Sequence, residues 1–177
     1  MTRDEFEYLL IKYEKEIYSI CIRLTQNRFE ADELFQDTWL AVMEELQAID
    51  FNKNPKSYLI GKAVLLWKAK KRKFARRQRI APQIDMADQS DDVFYDSETP
   101  SLEQITEKKE LTDTLRKEVV QLKEKYRIVV ELYYAMDLPA AQIAEILKIP
   151  QGTVESRLYK ARKLLRIRME ELGYEIG

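Results

Sequence analysis

The 177-residue sequence contains no histidine and one cysteine. Without histidine the commonest general base and metal ligand is missing, and a single thiol leaves no route to a cysteine zinc site or a disulfide framework. Cys21 stands among Ile20, Ile22 and Leu24 and is expected in a core. Four glycines and five prolines are few for this length, which favours long helices over a chain of tight turns. No apolar run approaches the ~18 residues a membrane span needs, and the first residues, MTRDEFEYLL, are too acidic for a secretion signal. No phosphate-cradling glycine loop and no nucleophile motif occurs. These absences argue against an enzyme, a cofactor or a metal centre, and for a soluble cytoplasmic protein.

Apolar residues make up 45% of the chain and charged residues 34%, enough for one large or two small cores under a highly charged surface. The net charge of −1 conceals a segregation. From Lys62 to Arg79 the chain carries Lys62, Lys68, Lys70, Lys71, Arg72, Lys73, Arg76, Arg77 and Arg79 with no acid. From Ile80 to Glu107 it carries eight acids and no base. Charge placement is therefore more informative than the total.

Helical periodicity runs from about Asp4 to Thr25, with Phe6, Leu9, Tyr13, Ile17, Ile20 and Leu24 on one side, and from about Phe29 to Ile49, with Ala31, Leu34, Trp39 and Val42 inward. Asp32, Glu33, Gln36 and Asp37 fall on the polar side of the second helix. They suit either a helix N-terminus or a docking face for a basic partner. Asn52, Lys53 and Asn54 follow in a turn-forming loop. A third helix starts near Pro55 and runs into KAKKRKFARRQR, whose cations, interleaved with Trp67 and Phe74, suit phosphate neutralisation and base stacking. Periodicity then lapses into an acidic linker with the small apolar island Val93, Phe94 and Tyr95, and returns near Leu102.

The last helical stretch reads LPAAQIAEILKIPQGTVESRLYKARKLL, from Leu138 to Leu165. Ile143, Leu147, Val154, Leu158, Ala161, Leu165 and Met169 line one side of a short helix, a turn and a longer helix. Either Pro150 is the first residue of the longer helix or Thr153 is its N-cap. This is a helix-turn-helix with Glu155, Ser156, Arg157, Tyr159 and Lys160 on the outward side, where such folds reach base edges.

Taken together, FEADELFQDTWLAVMEEL, NPKSYLIGKAVLLWKAKKRK and the stretch from Leu122 to Leu165 resemble a bacterial sigma factor of the extracytoplasmic-function type in the sigma-70 family. The resemblance implies an all-α protein of two small helical domains: residues 1–80 for core polymerase docking and −10 binding, a flexible acidic linker over 81–106, and residues 107–177 for −35 binding. It implies a promoter-specificity subunit that directs DNA melting in transcription initiation. By the resemblance, Asp32, Gln36 and Asp37 dock on core RNA polymerase, which contributes its β′ coiled coil and β subunit. Asn52, Lys53, Asn54, Lys62, Lys68, Lys70, Lys71, Arg72 and Lys73 meet the −10 region, and Thr153, Glu155, Ser156, Arg157, Tyr159 and Lys160 the −35 element. The expected partners are core polymerase, promoter DNA and a membrane-associated anti-sigma factor, with no small-molecule substrate and a monomer when free. Leu65, Lys148 and Glu155 depart from the family's usual residues. A stand-alone helix-turn-helix regulator and a helical adaptor are the competing readings.

Overall fold

The computed structural model describes residues 2–50, 53–81 and 105–176. Among the described residues there is no strand. The chain divides into two compact units, Met1–Val93 and Phe94–Gly177. The expected acidic linker and its apolar island lie almost wholly outside the described residues.

The first unit packs α1 (Arg3–Thr25), α2 (Arg28–Glu44) and α3 (Pro55–Ile80) against one another. The sequence punctuates each helix start. Thr2 and Glu5 form a reciprocal capping box on α1, Asn27 accepts from the Glu30 N–H at 3.0 Å on α2, and Asn54 accepts from the Ser57 N–H at 3.3 Å with Pro55 next on α3. The α-helical part of α2 stops at Glu44, short of the Ile49 that periodicity allowed, and a 3₁₀ turn, Leu46–Ala48, completes it. Leu9, Ile17 and Ile20 of α1, Leu34 and Val42 of α2, and Leu59, Ile60 and Val64 of α3 are fully buried. Each stabilises the unit by about 1.5–3 kcal/mol relative to exposure. Phe6 and Trp39 meet edge to face at 5.9 Å across the α1–α2 contact. Cys21 is fully buried among them, and burial pushes its thiol up to about 12.

The second unit holds α4 (Ile105–Gln121), α5 (Glu124–Val130), α6 (Ala140–Leu147) and α7 (Gln151–Glu171). The continuous periodicity after Leu102 is broken twice. The helix stops at Leu122–Lys123, and α5 widens into a π turn over Glu131–Ala135. Leu132, Ile143, Val154, Ala161 and Met169 form the centre of this core. Arg168 on α7 reaches the nearly buried Glu118 on α4 at 3.1 Å, joining the two ends of the unit. Between α6 and α7, Lys148 adopts φ 55° and ψ 47°, and both Lys148 and Ile149 donate to the Ala144 carbonyl. That closure favours glycine, so a lysine there carries backbone strain, as its departure from the family pattern implied. The longer helix begins at Gln151 with Pro150 in the capping position, so Pro150 precedes the helix and Thr153 is its third residue.

Candidate nucleic-acid interface

α2 has two opposite faces. Ala31, Leu34, Thr38 and Val42 turn into the core, and Phe29, Glu33, Gln36, Leu40 and Met43 form an exposed stripe on the other side. Phe29 is 73% exposed, Leu40 57% and Met43 49%. Sequence reasoning picked out the carboxylates here and missed Leu40 and Met43. Their i, i+3 spacing opposite the core stripe was the available signal.

The carboxylates expected to dock a partner are also tertiary links. The Tyr18 hydroxyl donates to Asp32 Oδ1 at 2.8 Å, joining α1 to α2, and that hydrogen bond raises the tyrosine pKa. Lys70 Nζ lies 2.7 Å from Asp37 Oδ2 and 3.8 Å from Glu33 Oε2, joining α2 to α3. A residue assigned to DNA and one assigned to protein docking therefore form one ion pair. Gln36 is exposed.

α3 changes character along its length. Leu59, Ala63, Val64 and Trp67 hold its first half in the core. Lys62 is spoken for: Glu45 Oε2 accepts from Lys62 Nζ at 2.6 Å and from the Tyr58 hydroxyl at 2.7 Å. Those two hydrogen bonds lower the Glu45 pKa, Lys62 first, while burial and the bond to Glu45 push the Tyr58 hydroxyl up to about 12. Trp67, expected to offer a stacking face, is only 6% exposed because it continues the Leu59–Ala63 row into the core. Lys71 sits over its ring at 4.9 Å. From Ala69 to Arg77 every residue is exposed, so Lys71, Arg72, Lys73, Arg76 and Arg77 line the outer half of the helix with Phe74, 55% exposed, among them. Lys68 is half-buried. In the preceding loop Lys53 is exposed, Asn54 serves as the α3 cap, and Asn52 lies outside the described residues.

On α7 the outward face is chemically mixed. Glu155, Ser156, Tyr159 and Lys160 are exposed, and Thr153 and Arg157 are half-buried. Ser156 donates its hydroxyl to the Thr153 carbonyl at 3.0 Å, and the Gln151 side-chain amide donates to Glu155 Oε1 at 3.1 Å. Tyr159 is 69% exposed. Farther along, Arg162 donates to the Tyr134 hydroxyl at 2.6 Å and stacks over the Tyr133 and Tyr134 rings, each at 5.6 Å, fixing α7 to the π turn. Gln151 was not singled out from the sequence, although its i, i+4 spacing from Glu155 was legible. Among the described residues no helix is long and apolar enough to cross a membrane, and no group of acids, Cys21 included, is arranged to hold a metal ion.

A three-helix unit ending in an exposed cationic helix, and a second unit ending in a helix-turn-helix with a mixed polar face, define a DNA-reading protein of two modules. The comparisons with known proteins identify its family. Residues 9–78 match Sigma-70 region 2 and residues 112–165 match Sigma-70, region 4. The chain is similar to the extracytoplasmic-function sigma factor SigW of Bacillus subtilis, 28% identical over 178 residues that cover 96% of this chain and 91% of the relative. It is 26% identical to SigL of Mycobacterium tuberculosis over 157 residues, with 89% and 84% covered. Its fold resembles that of the sigma factor RpoE of Bartonella quintana in complex with the anti-sigma factor NepR, with a TM-score of 0.75, 20% identity, and 94% and 97% coverage. It also resembles CnrH in complex with the cytosolic domain of CnrY, with a TM-score of 0.63, 15% identity, and 96% and 90% coverage. The chain belongs to the sigma-70 family, as a sigma factor of the extracytoplasmic-function type. It is a sigma factor for transcription initiation, and two regions matched in order disfavour the stand-alone regulator and the adaptor.

Proposed function

We propose that this sigma factor acts without catalytic chemistry of its own, in the cytoplasm, by docking on core RNA polymerase through α2, holding melted −10 DNA with α3 and reading the −35 element with α7. The supporting observation is the division of labour on its surface: a cation-dense helix end in one unit, a mixed hydrogen-bonding face in the other. In domain terms, residues 1–80 carry docking and −10 binding, 81–106 link, and 107–177 carry −35 binding.

For docking, Gln36 lies within the exposed stripe that holds Phe29, Leu40 and Met43, and Asp32 and Asp37 stand beside it, giving a mixed apolar and acidic face. That suits a helical partner with basic margins such as the β′ coiled coil. For melting, Lys71, Arg72 and Lys73 are best placed to neutralise phosphates, helped by Lys68, with Phe74 to stack a base. Lys62 and Lys70 serve phosphates only by leaving Glu45 and Asp37. Lys53 and the neighbouring Asn52 and Asn54 are assigned to an extruded −10 base. For −35 reading, Glu155, Ser156, Tyr159 and Lys160 face the groove, with Thr153 and Arg157 at its margin. An anti-sigma factor is the expected inhibitor, since the structural neighbour RpoE is in complex with the anti-sigma factor NepR.

Run-off transcription with purified core polymerase tests the proposal. The complex should start from promoters that core alone ignores, while the free protein binds the same duplexes poorly. Nanomolar, sequence-specific binding of duplex promoter by the protein alone at physiological salt would overturn it.

A further inference from the structure

We infer that Gln151 and Glu155 act as one reading unit, in which Gln151 positions the Glu155 carboxylate to select a cytosine within the −35 element. This rests on α7 being the groove helix and adds to it a base preference and a residue outside the assigned set.

The observation is the hydrogen bond from the Gln151 amide to Glu155 Oε1, 3.1 Å long, across one turn of the exposed face. Among the described residues no lysine or arginine pairs with Glu155, although Arg157 and Lys160 lie within two turns on the same helix. A carboxylate on a DNA-facing helix is repelled by every phosphate it approaches, so it contributes nothing to backbone affinity. Its favourable partners are the amino groups on base edges. In the major groove guanine and thymine present acceptors, adenine an amino group beside the N7 acceptor, and cytosine an amino donor alone. A group that only accepts therefore favours cytosine. Ser156 shares this polarity: its proton is committed to the Thr153 carbonyl, so toward DNA its hydroxyl also accepts. Two adjacent side chains of the first turns thus offer acceptors and no donors.

Gln151 supplies what a lone glutamate lacks. A free Glu155 chain samples several rotamers, and ordering it on DNA costs side-chain entropy. The neutral amide holds one oxygen without discharging the carboxylate, leaving the second oxygen to accept from a base. Gln151 is a positioning residue here, and its effect should appear as sharpness of choice more than as affinity.

The test is run-off transcription by core polymerase with this sigma factor from a promoter library randomised across the −35 element. Wild type should prefer cytosine at one base pair by roughly 5- to 150-fold over the other bases. Glu155→Gln should remove that preference at this pair alone, and Gln151→Ala should weaken it there by roughly 2- to 10-fold. The double exchange Gln151→Glu with Glu155→Gln keeps the hydrogen bond and moves the carboxylate by one turn, so the cytosine preference should move to another pair. Both positions are exposed, and thermal melting checks that each variant folds. Wild type indifferent to the library would overturn the groove assignment of α7 and this inference with it. Wild type selective, with Glu155→Gln and Gln151→Ala scaling all promoters alike, would overturn this inference alone.

Discussion

Beyond Trp67, α3 shows solvent a nearly uniform surface of Lys71, Arg72, Lys73, Arg76 and Arg77 around Phe74, whereas the first turns of α7 show Gln151, Glu155, Ser156, Tyr159 and Lys160. The first surface has cationic donors at high density and few acceptors. The second has an amide, a carboxylate, a hydroxyl, a phenol and an ammonium within three turns. Phosphates are identical along DNA, so a surface that meets them gains from repetition; base edges differ, so a surface that reads them gains from variety. Charge density and hydrogen-bond diversity are thus separate quantities, and this chain places each on its own unit.

If the units are independent, a core lesion in one should spare the other. Met169→Ala should cost the second unit about 2–5 kcal/mol, because Met169 is fully buried, and should leave the first unit's denaturation midpoint in place. A shared fall in midpoint, read by unit-specific fluorescence, would break the comparison. The next effect in size concerns α3. Neutralising Lys71, Arg72 and Lys73 together should lower the log–log salt slope for single-stranded −10 DNA by about 2, at ~0.7 for each phosphate left without its cation, and slow promoter opening without changing which −35 sequences are chosen. An unchanged slope would remove α3 from the phosphate role.

Two further substitutions probe links that tie α3 and α7 to their surroundings. Asp37→Lys places a cation against Lys70 and should destabilise the first unit by up to about 1 kcal/mol, since the pair it replaces is solvent-exposed on both sides. Urea melts would show it. Lys148→Gly should stabilise the second unit by about 0.5–1 kcal/mol by relieving its positive φ, read as a raised melting temperature. A further effect is alkaline. The folded Tyr58 pKa, about 12, lies above its ordinary 10.0, so its contribution is complete below pH 10 and is lost as pH rises from 10 to 12. Tyr58→Phe should abolish that share of alkaline destabilisation, seen by comparing urea midpoints of the two proteins at pH 9 and 11.

The three helices of the first unit were legible because each carries an apolar row and a recognisable start, such as Thr2 with Glu5 or Asn54 with Pro55. The interruptions in the second unit were not. Nothing in LKEKYRIVVELYYAM marks where α4 yields to α5 or where a π turn begins, since apolar residues continue through both. Cross-helix pairs were equally hidden. Asp37 and Lys70 are 33 positions apart, and periodicity within one helix cannot say which polar side chains of two helices will meet. Trp67 was misjudged because a basic run surrounds it, although its four-residue spacing from Ala63 already placed it inward. The family resemblance carried site roles that the residues alone left open, and the geometry changes how several of them are expected to work, Lys62 and Lys70 above all.

The most direct test compares the two surfaces in one reaction: open-complex formation by core polymerase with this sigma factor, followed by thymine reactivity in the −10 region across a −35 library. The account predicts that the Lys71, Arg72 and Lys73 variant lowers −10 reactivity on every promoter by a similar factor, while Glu155→Gln changes the ranking of promoters and leaves maximal reactivity intact. Re-ranking of promoters by the α3 variant, or uniform loss with the α7 variant, would contradict the division of labour.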